Sequence, residues 1–307
     1  MNRAADETTV VGFIGLGVMG GAMCRNLAAR AGVTVAAYDA DPDACAACVA
    51  GGAAAVEGPA HLARECGIIF LSLPGEAEVR DVCRGEDGLL AHARDGQIIV
   101  DCSTVPVSLS REMAAAFAGK GASYVDAPVA GTAETVADRK ISIMVGAEDA
   151  VFTRLAPLLD CMAEQVQHCG PSGSGTTTKL LLNMVIAQSV VALAEALSLG
   201  RKAGLDGDRL FQAFQHGCDS FALRQHGMTA LLPGVFPEGK FPTRYMLKDL
   251  GYVLALKEEL NLKLDGMVLT HELLQRAVAA GHGDAYWPAL INVIGQDERH
   301  GQDEWQG

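Results

Sequence analysis

In the run GTTTKLLLNMVIAQ, Lys179 and Asn183 stand where aliphatic residues would pack better. Spaced four apart, they share one face of a helix, one turn above the other. A lysine there suits proton transfer if desolvation brings its pKa towards the working pH. An asparagine offers both a donor and an acceptor with which to orient a hydroxyl. The pair could serve a reacting alcohol. Far upstream, Gly15-Leu16-Gly17-Val18-Met19-Gly20 is a G-x-G-x-x-G that follows the strand-like VVGFIG and opens a helix-like run. In that context the first glycine permits a tight turn, the second lets a pyrophosphate approach the backbone, and the third allows close helix–strand packing. The phosphates would sit on the free N–H groups of the helix N-terminus. Asp39 ends the next β-like run, about 20 residues on, where a carboxylate accepts both ribose hydroxyls of NAD and repels a 2′-phosphate. No arginine follows within ten residues to host that phosphate, so NAD is expected over NADP.

The elements that must position these groups show as an alternation. Residues 10–15, 33–39, 68–73, 97–102, 122–127 and 141–146 read as strands, and 18–31, 41–50, 76–84, 106–119 and 148–159 as helices between them. Strands apolar throughout and separated by helices suit a sheet buried on both faces. After the Gly/Ser/Pro-rich GPSGSG at 170–175 the pattern changes to long helices, about 176–202, 206–216, 246–260 and 266–280. The expectation is an α/β Rossmann-type N-terminal domain over 1–172 and an all-α C-terminal domain for substrate and oligomerisation over 173–307. Lys179 and Asn183 fall just past that junction, where clefts form, and the apolar residues around them argue against an exposed helix face. Ligands in such sheets bind beyond the carboxyl ends of the strands, so the loops Ser72-Leu73-Pro74 and Cys102-Ser103-Thr104 are expected to line the cofactor trough.

The formal net charge of −13 over 307 residues argues against binding a nucleic-acid backbone. No uninterrupted apolar run has the roughly 18 residues of a membrane span, and MNRAADETT lacks the basic start and apolar core of a secretory signal. A cytoplasmic, reducing compartment is expected. Of the nine cysteines only Cys45 and Cys48 form a CxxC, without the second pair or histidines of a zinc site, so they read as structural thiols and no metal is expected. His216, His226, His271 and His282 read as loop or helix-surface residues. The polar stretch 295–307 reads as frayed, with Trp305 available to dock on a neighbouring subunit.

Four stretches, GFIGLGVMGGAM at 12–23, DAPVAGT at 126–132, GSGTTTKLLLN at 173–183 and LKDL at 247–250, resemble the β-hydroxyacid dehydrogenase family in order and spacing. The resemblance covers roughly 10–290, and YDADPDAC is similar to the 3-hydroxyisobutyrate dehydrogenases within that family. It implies two domains joined by a long helix, dimers or tetramers, and reversible oxidation of a small anionic β-hydroxyacid to its semialdehyde or keto acid with NAD(P). It makes Lys179 the general acid/base and Asn183 its partner. On the cofactor it places Gly15, Leu16, Gly17, Val18, Met19, Gly20, Asp39, Leu73, Pro74, Glu78 and Thr104, with Lys248 closing over the nicotinamide end. Ala130, Gly131, Thr132 and Phe241 fall on substrate-binding positions. Here the chain departs from the pattern: many members carry Ser-Gly-Gly where this one has Ala130-Gly131-Thr132, leaving backbone N–H groups and the Thr132 hydroxyl to take an anion. Arg139 and Lys140 replace a frequent glycine and a small or polar residue, and Arg244 is either a surface arginine or the partner of a second acidic group. Two alternatives stand beside this reading. An imine reductase-like enzyme is one, although such relatives generally replace the lysine; a non-catalytic NAD(P)-binding recognition protein is the other, motivated by the missing serine.

Overall fold

The computed structural model describes residues 10–30 and 32–295, so the readings of MNRAADETT and of Trp305 lie outside the described residues. Contacts divide the chain between Leu180 and Leu181 into two compact units.

In the first unit six strands run parallel: β1 (Val10–Ile14), β2 (Thr34–Tyr38), β3 (Ala54–Ala55), β4 (Ile68–Leu71), β5 (Ile98–Asp101) and β6 (Ser123–Asp126). Their order, β3-β2-β1-β4-β5-β6, reverses direction beside β1. Parallel neighbours need crossovers, supplied here by α1 (Val18–Arg30), α2 (Pro42–Val49), α3 (Pro59–Glu65), α4 (Glu76–Arg84) and α5 (Val107–Ala118). Side chains alternate across each strand, so Val11, Phe13, Phe70 and Val100 pack with Met23 and Leu27 of α1 on one face. Ile14, Ile69, Leu71 and Ile99 pack on the other with Leu62, Val79, Met113 and Phe117. Both faces being covered explains why the strands read as continuous apolar runs.

The sheet is extended by β7 (Val129–Ala130), β8 (Ser142–Gly146) and β9 (Gln165–Gly170), with α6 (Ala133–Val136) and α7 (Asp149–Met162) between them. Here β8 runs antiparallel to β6 and β7 and parallel to β9. β3, α3, β7, α6 and β9 were not foreseen. Two-residue strands and one- or two-turn helices are too short to show a period, and QVQHCG of β9 carries little apolar signal.

The helical unit takes up most of α8 (Ser174–Lys202), then α9 (Gly207–Gly217), a π-helical stretch Leu223–Leu231, α10 (Thr243–Glu259), α11 (Asp265–Ala277) and a 3₁₀ stretch Trp287–Val293. Asp206 caps α9, accepting the Arg209 N–H at 2.9 Å. Along α8 one stripe is buried: Leu180, Asn183, Ala187, Val190, Ala194 and Leu197. Another stripe, Leu181, Val185, Ala192 and Leu199, is exposed, contrary to the expectation that the apolar residues around Lys179 exclude an exposed helix face. By length and composition alone α8 could also cross a membrane, because averaging over its length dilutes the few polar residues that break the run.

His226 corrects a second expectation. It is 7 % exposed, its Nδ1 lies 2.6 Å from the Tyr286 hydroxyl, and its ring packs 5.0 Å from that of Trp287. The buried positions Leu223, His226, Gly227, Ala230 and Leu231 follow the i, i+3, i+4, i+7 stripe of an amphipathic helix. That spacing placed the histidine inside. Burial lowers its pKa to about 4.

Candidate active site

Gly15 has φ +87°, and a Cβ there would lie 2.2 Å from the Ser72 carbonyl oxygen. A Cβ on Gly20 would lie 2.0 Å from the carbonyl oxygen of Gly15. These two positions therefore exclude side chains, and α1 begins hard against the ends of β1 and β4. Gly17 is the opposite case: a Cβ there meets no described atom within 4 Å, which leaves an open backbone for a pyrophosphate to approach. Leu16 is buried, Met19 half-buried and Val18 exposed.

Asp39 follows β2 directly. Its carboxylate accepts the Leu16 N–H at 2.5 Å and the Asp41 N–H at 2.8 Å, tying the acid to the glycine turn. Its own N–H donates to Cys45 Sγ at 3.2 Å, so one cysteine of the CxxC braces the backbone of this acid. That role had no sequence signal. A tight turn, an open backbone and an acid at the neighbouring strand end fit a dinucleotide.

Pairing register puts Ile14, Leu71, Asp101 and Asp126 in one row across β1, β4, β5 and β6. The loops that follow these residues all leave from the same edge. Buried Asp101 stitches two of them: it accepts the Ser103 N–H at 2.9 Å and the Tyr124 hydroxyl at 2.6 Å, while Ser103 Oγ accepts the Leu73 N–H at 2.9 Å. Burial raises the Asp101 pKa, its hydrogen bonds opposing the shift, and burial also holds the Tyr124 hydroxyl well above its usual range. Leu73 and Thr104 are half-buried on this edge; Pro74 and Glu78 are exposed.

At the end of the row Asp126, 1 % exposed, accepts the N–H of Gly173 at 2.6 Å and of Thr176 at 2.7 Å. Burial pushes its carboxyl up to about 6, the two backbone bonds opposing. The Thr176 hydroxyl lies 3.1 Å from that of Ser110 on α5. Lys179, half-buried, follows Thr176 by three residues and thus by most of a turn.

Beside this edge, Ala130 pairs with Ser142, and a Cβ on Gly131 would lie 2.3 Å from Ile141 Cγ2, which requires glycine there. Thr132 caps α6 in a box with Thr135, whose hydroxyl accepts the Thr132 N–H at 2.9 Å. That engagement occupies one of the donors expected to meet an anion. Arg139 sits at φ +62°, the left-handed region that a glycine would fill without strain, and its Nε is buried with no hydrogen-bond partner among the described residues.

In the helical unit Asn183, 4 % exposed, donates its amide to Asp249 Oδ2 at 2.8 Å. Asp249 Oδ1 lies 3.3 Å from Lys248 Nζ, and that ammonium stands 5.6 and 5.4 Å from the rings of Tyr245 and Tyr252. Phe241 meets Tyr245 edge-on at 6.1 Å. Asp249 was missed by the sequence reading, although it sits inside LKDL next to a residue that reading singled out. Arg244 pairs with Asp284 at 2.6 Å on the exposed surface.

A glycine turn at the point where strand order reverses, with an acid waiting at the next strand end, defines the class as a Rossmann-type dinucleotide-binding protein. Residues 10–170 match the family described as the NAD binding domain of 6-phosphogluconate dehydrogenase, and 173–294 match the NAD-binding domain of NADP-dependent 3-hydroxyisobutyrate dehydrogenase. The chain is 35 % identical over 289 residues to 2-(hydroxymethyl)glutarate dehydrogenase of Eubacterium barkeri, covering 94 % of this chain and 95 % of that one. To the mitochondrial 3-hydroxyisobutyrate dehydrogenase of Mus musculus it is 30 % identical, covering 97 % and 90 %. The solved 3-hydroxyisobutyrate dehydrogenase of Mycobacterium tuberculosis with L-serine superposes at a TM-score of 0.86 and 30 % identity, over 94 % of this chain and 100 % of that one. This chain belongs to the β-hydroxyacid dehydrogenase family, nicotinamide-dependent oxidoreductases acting on the hydroxyl of small hydroxyacids.

Proposed function

We propose that this protein reversibly oxidises a 3-hydroxyisobutyrate-like β-hydroxyacid to its semialdehyde or keto acid, prefers NAD to NADP, and uses Lys179 as general acid/base. The observation that carries the reading is the shared row of the sheet. The glycine turn after Ile14 and the carboxylate of Asp126, on which the first turn of α8 is hung, stand on one edge of a single compact unit. Three strand spacings, about 14 Å, separate those ends.

When bound, the nicotinamide ring supplies the hydride acceptor. Lys179 removes the hydroxyl proton in oxidation and returns it in reduction, while Asn183, its amide aimed by Asp249, orients the same hydroxyl. The 130–132 loop, in the same compact unit as Lys179, takes the remainder of the acid. The substrates named for the relatives, and the L-serine of the solved neighbour, share a primary hydroxyl β to a carboxylate, which supports this substrate class. For the cofactor, one oxygen of Asp39 accepts from Leu16 of the glycine turn, so a 2′-phosphate there would meet a negative charge. The protein is further proposed to be a homodimer or homotetramer, supported by the exposed apolar stripe of α8.

The test is a panel of 3-hydroxyisobutyrate, 3-hydroxypropionate, glycerate, serine, threonate and a sulfonate analogue, assayed with NAD and NADP in parallel. Reduced cofactor is expected with at least one β-hydroxy carboxylate, faster with NAD. Silence across the panel argues for a binding protein, and faster NADP rates overturn the role given to Asp39. Sedimentation as a monomer would remove the oligomer proposal.

A further inference from the structure

We propose that Asp126 is a positioning residue for Lys179, its buried carboxylate fixing the height and rotation of α8 by holding the N–H groups of Gly173 and Thr176. The inference rests on the proposed proton-transfer role of Lys179 and adds the device that sets its place.

The first turn of a helix leaves backbone N–H groups without intrahelical partners, and in α8 a carboxylate from β6 takes two of them, at 2.6 and 2.7 Å. A negative charge at that end also suits the helix dipole. The seat has no slack. A Cβ on Gly175 would lie 2.2 Å from the Met144 carbonyl oxygen and 2.7 Å from that of Asp126, so the helix rests directly on the strand backbones. A Cβ on Gly146 would lie 2.4 Å from Asp126 Oδ1, so β8 closes the space behind the carboxylate. The Thr176–Ser110 contact at 3.1 Å ties the same turn to α5. A helix re-registered by one residue turns its side chains by about 100° and shifts them about 1.5 Å along the axis. Either movement takes the Lys179 amine off a fixed hydroxyl, and misplacement of about 1 Å can lower a rate about 100-fold.

The experiment compares Asp126→Asn, Gly146→Ala and Lys179→Ala, each at a temperature where circular dichroism shows it folded, with active sites counted by NAD titration calorimetry. Asparagine removes the charge and one acceptor; the alanine pushes the carboxylate from its seat while leaving its charge in place. Both are expected to lower kcat about 10- to 100-fold with the NAD Kd within about two-fold of the parent. An anchor with a merely structural role lowers the melting temperature but leaves kcat per active site unchanged, and that result in either folded variant overturns the proposal. If Lys179→Ala retains kcat, the proton-transfer reading itself fails. If only Lys179→Ala loses it, that reading stands and Asp126 is no positioning residue.

Discussion

Two buried carboxylates, one in each unit, hold parts of α8 by different means. Asp126 takes backbone N–H groups, which any residue but proline offers, whereas Asp249 takes the side-chain amide of Asn183, which few residues could replace. The backbone grip fixes where the helix starts. The side-chain grip fixes how one functional group on it points. Their surroundings differ as well: Asp126 ends a sheet row whose register is set by pairing over the whole row, while Asp249 belongs to a bundle in which Lys248, Tyr245 and Tyr252 crowd the same helix face.

Replacing Lys179 by alanine should have the largest effect, because it removes the proposed proton-transfer group that the backbone grip positions. A loss of about 10²–10⁴ in kcat is expected with cofactor affinity retained, as read by steady-state kinetics and calorimetry. Near-parental turnover would leave the comparison without a functional meaning.

The next prediction sets the units apart by pH. Asp126 is raised from 3.8 to about 6, so its contribution to stability is present below 3.8 and lost as pH rises through 6. His226 is lowered from 6.5 to about 4, so its contribution is present above 6.5 and lost as pH falls through 4. Each shift corresponds to about 3 kcal/mol. Acidification from pH 7 to 4 should therefore strengthen the sheet unit and weaken the helical one. Urea titration followed by Trp287 fluorescence in a Trp305→Phe background, beside hydrogen exchange on β6, reads the two separately. Parallel behaviour of the two probes would erase the contrast.

Asn183→Leu keeps the size of the side chain and removes the donor to Asp249. A loss of about 1.5–3 kcal/mol in urea unfolding is expected, the range for a hydrogen bond to a charged group. No loss would show that the side-chain grip is dispensable. Asp39→Ser should raise the NADP-to-NAD ratio of kcat/KM about tenfold, equivalent to about 1.4 kcal/mol, without touching either grip. The smallest effect belongs to Arg139→Gly, which relieves a left-handed backbone and should add about 1 kcal/mol of stability in the same titration.

Much of this was legible because the signals are local. The strands β1 and β4 are apolar throughout, the glycine turn lies between a strand and a helix, and Asp39 follows the next strand. Lys179 and Asn183 announced themselves as polar residues in an apolar run. The spacing 223, 226, 227, 230 and 231 also showed where His226 belongs, and misreading it came from judging the histidine by type rather than by its place on the stripe. Cys45 bracing Asp39 carried no comparable sign, since any small half-buried residue is compatible with that helix. The exposure of Leu181 and Val185 was missed because an apolar run does not by itself tell which of its helix faces the fold covers.

The sequence by itself determined the Rossmann-type order of elements, the glycine turn and the family, because periodicity and motif spacing act over a few turns of chain. Tertiary structure alone decided that Asp126 holds the start of α8 and that Asp249 holds Asn183. Those partners lie 47 to 66 residues apart in the chain, and only strand register and helix packing bring them within hydrogen-bonding distance.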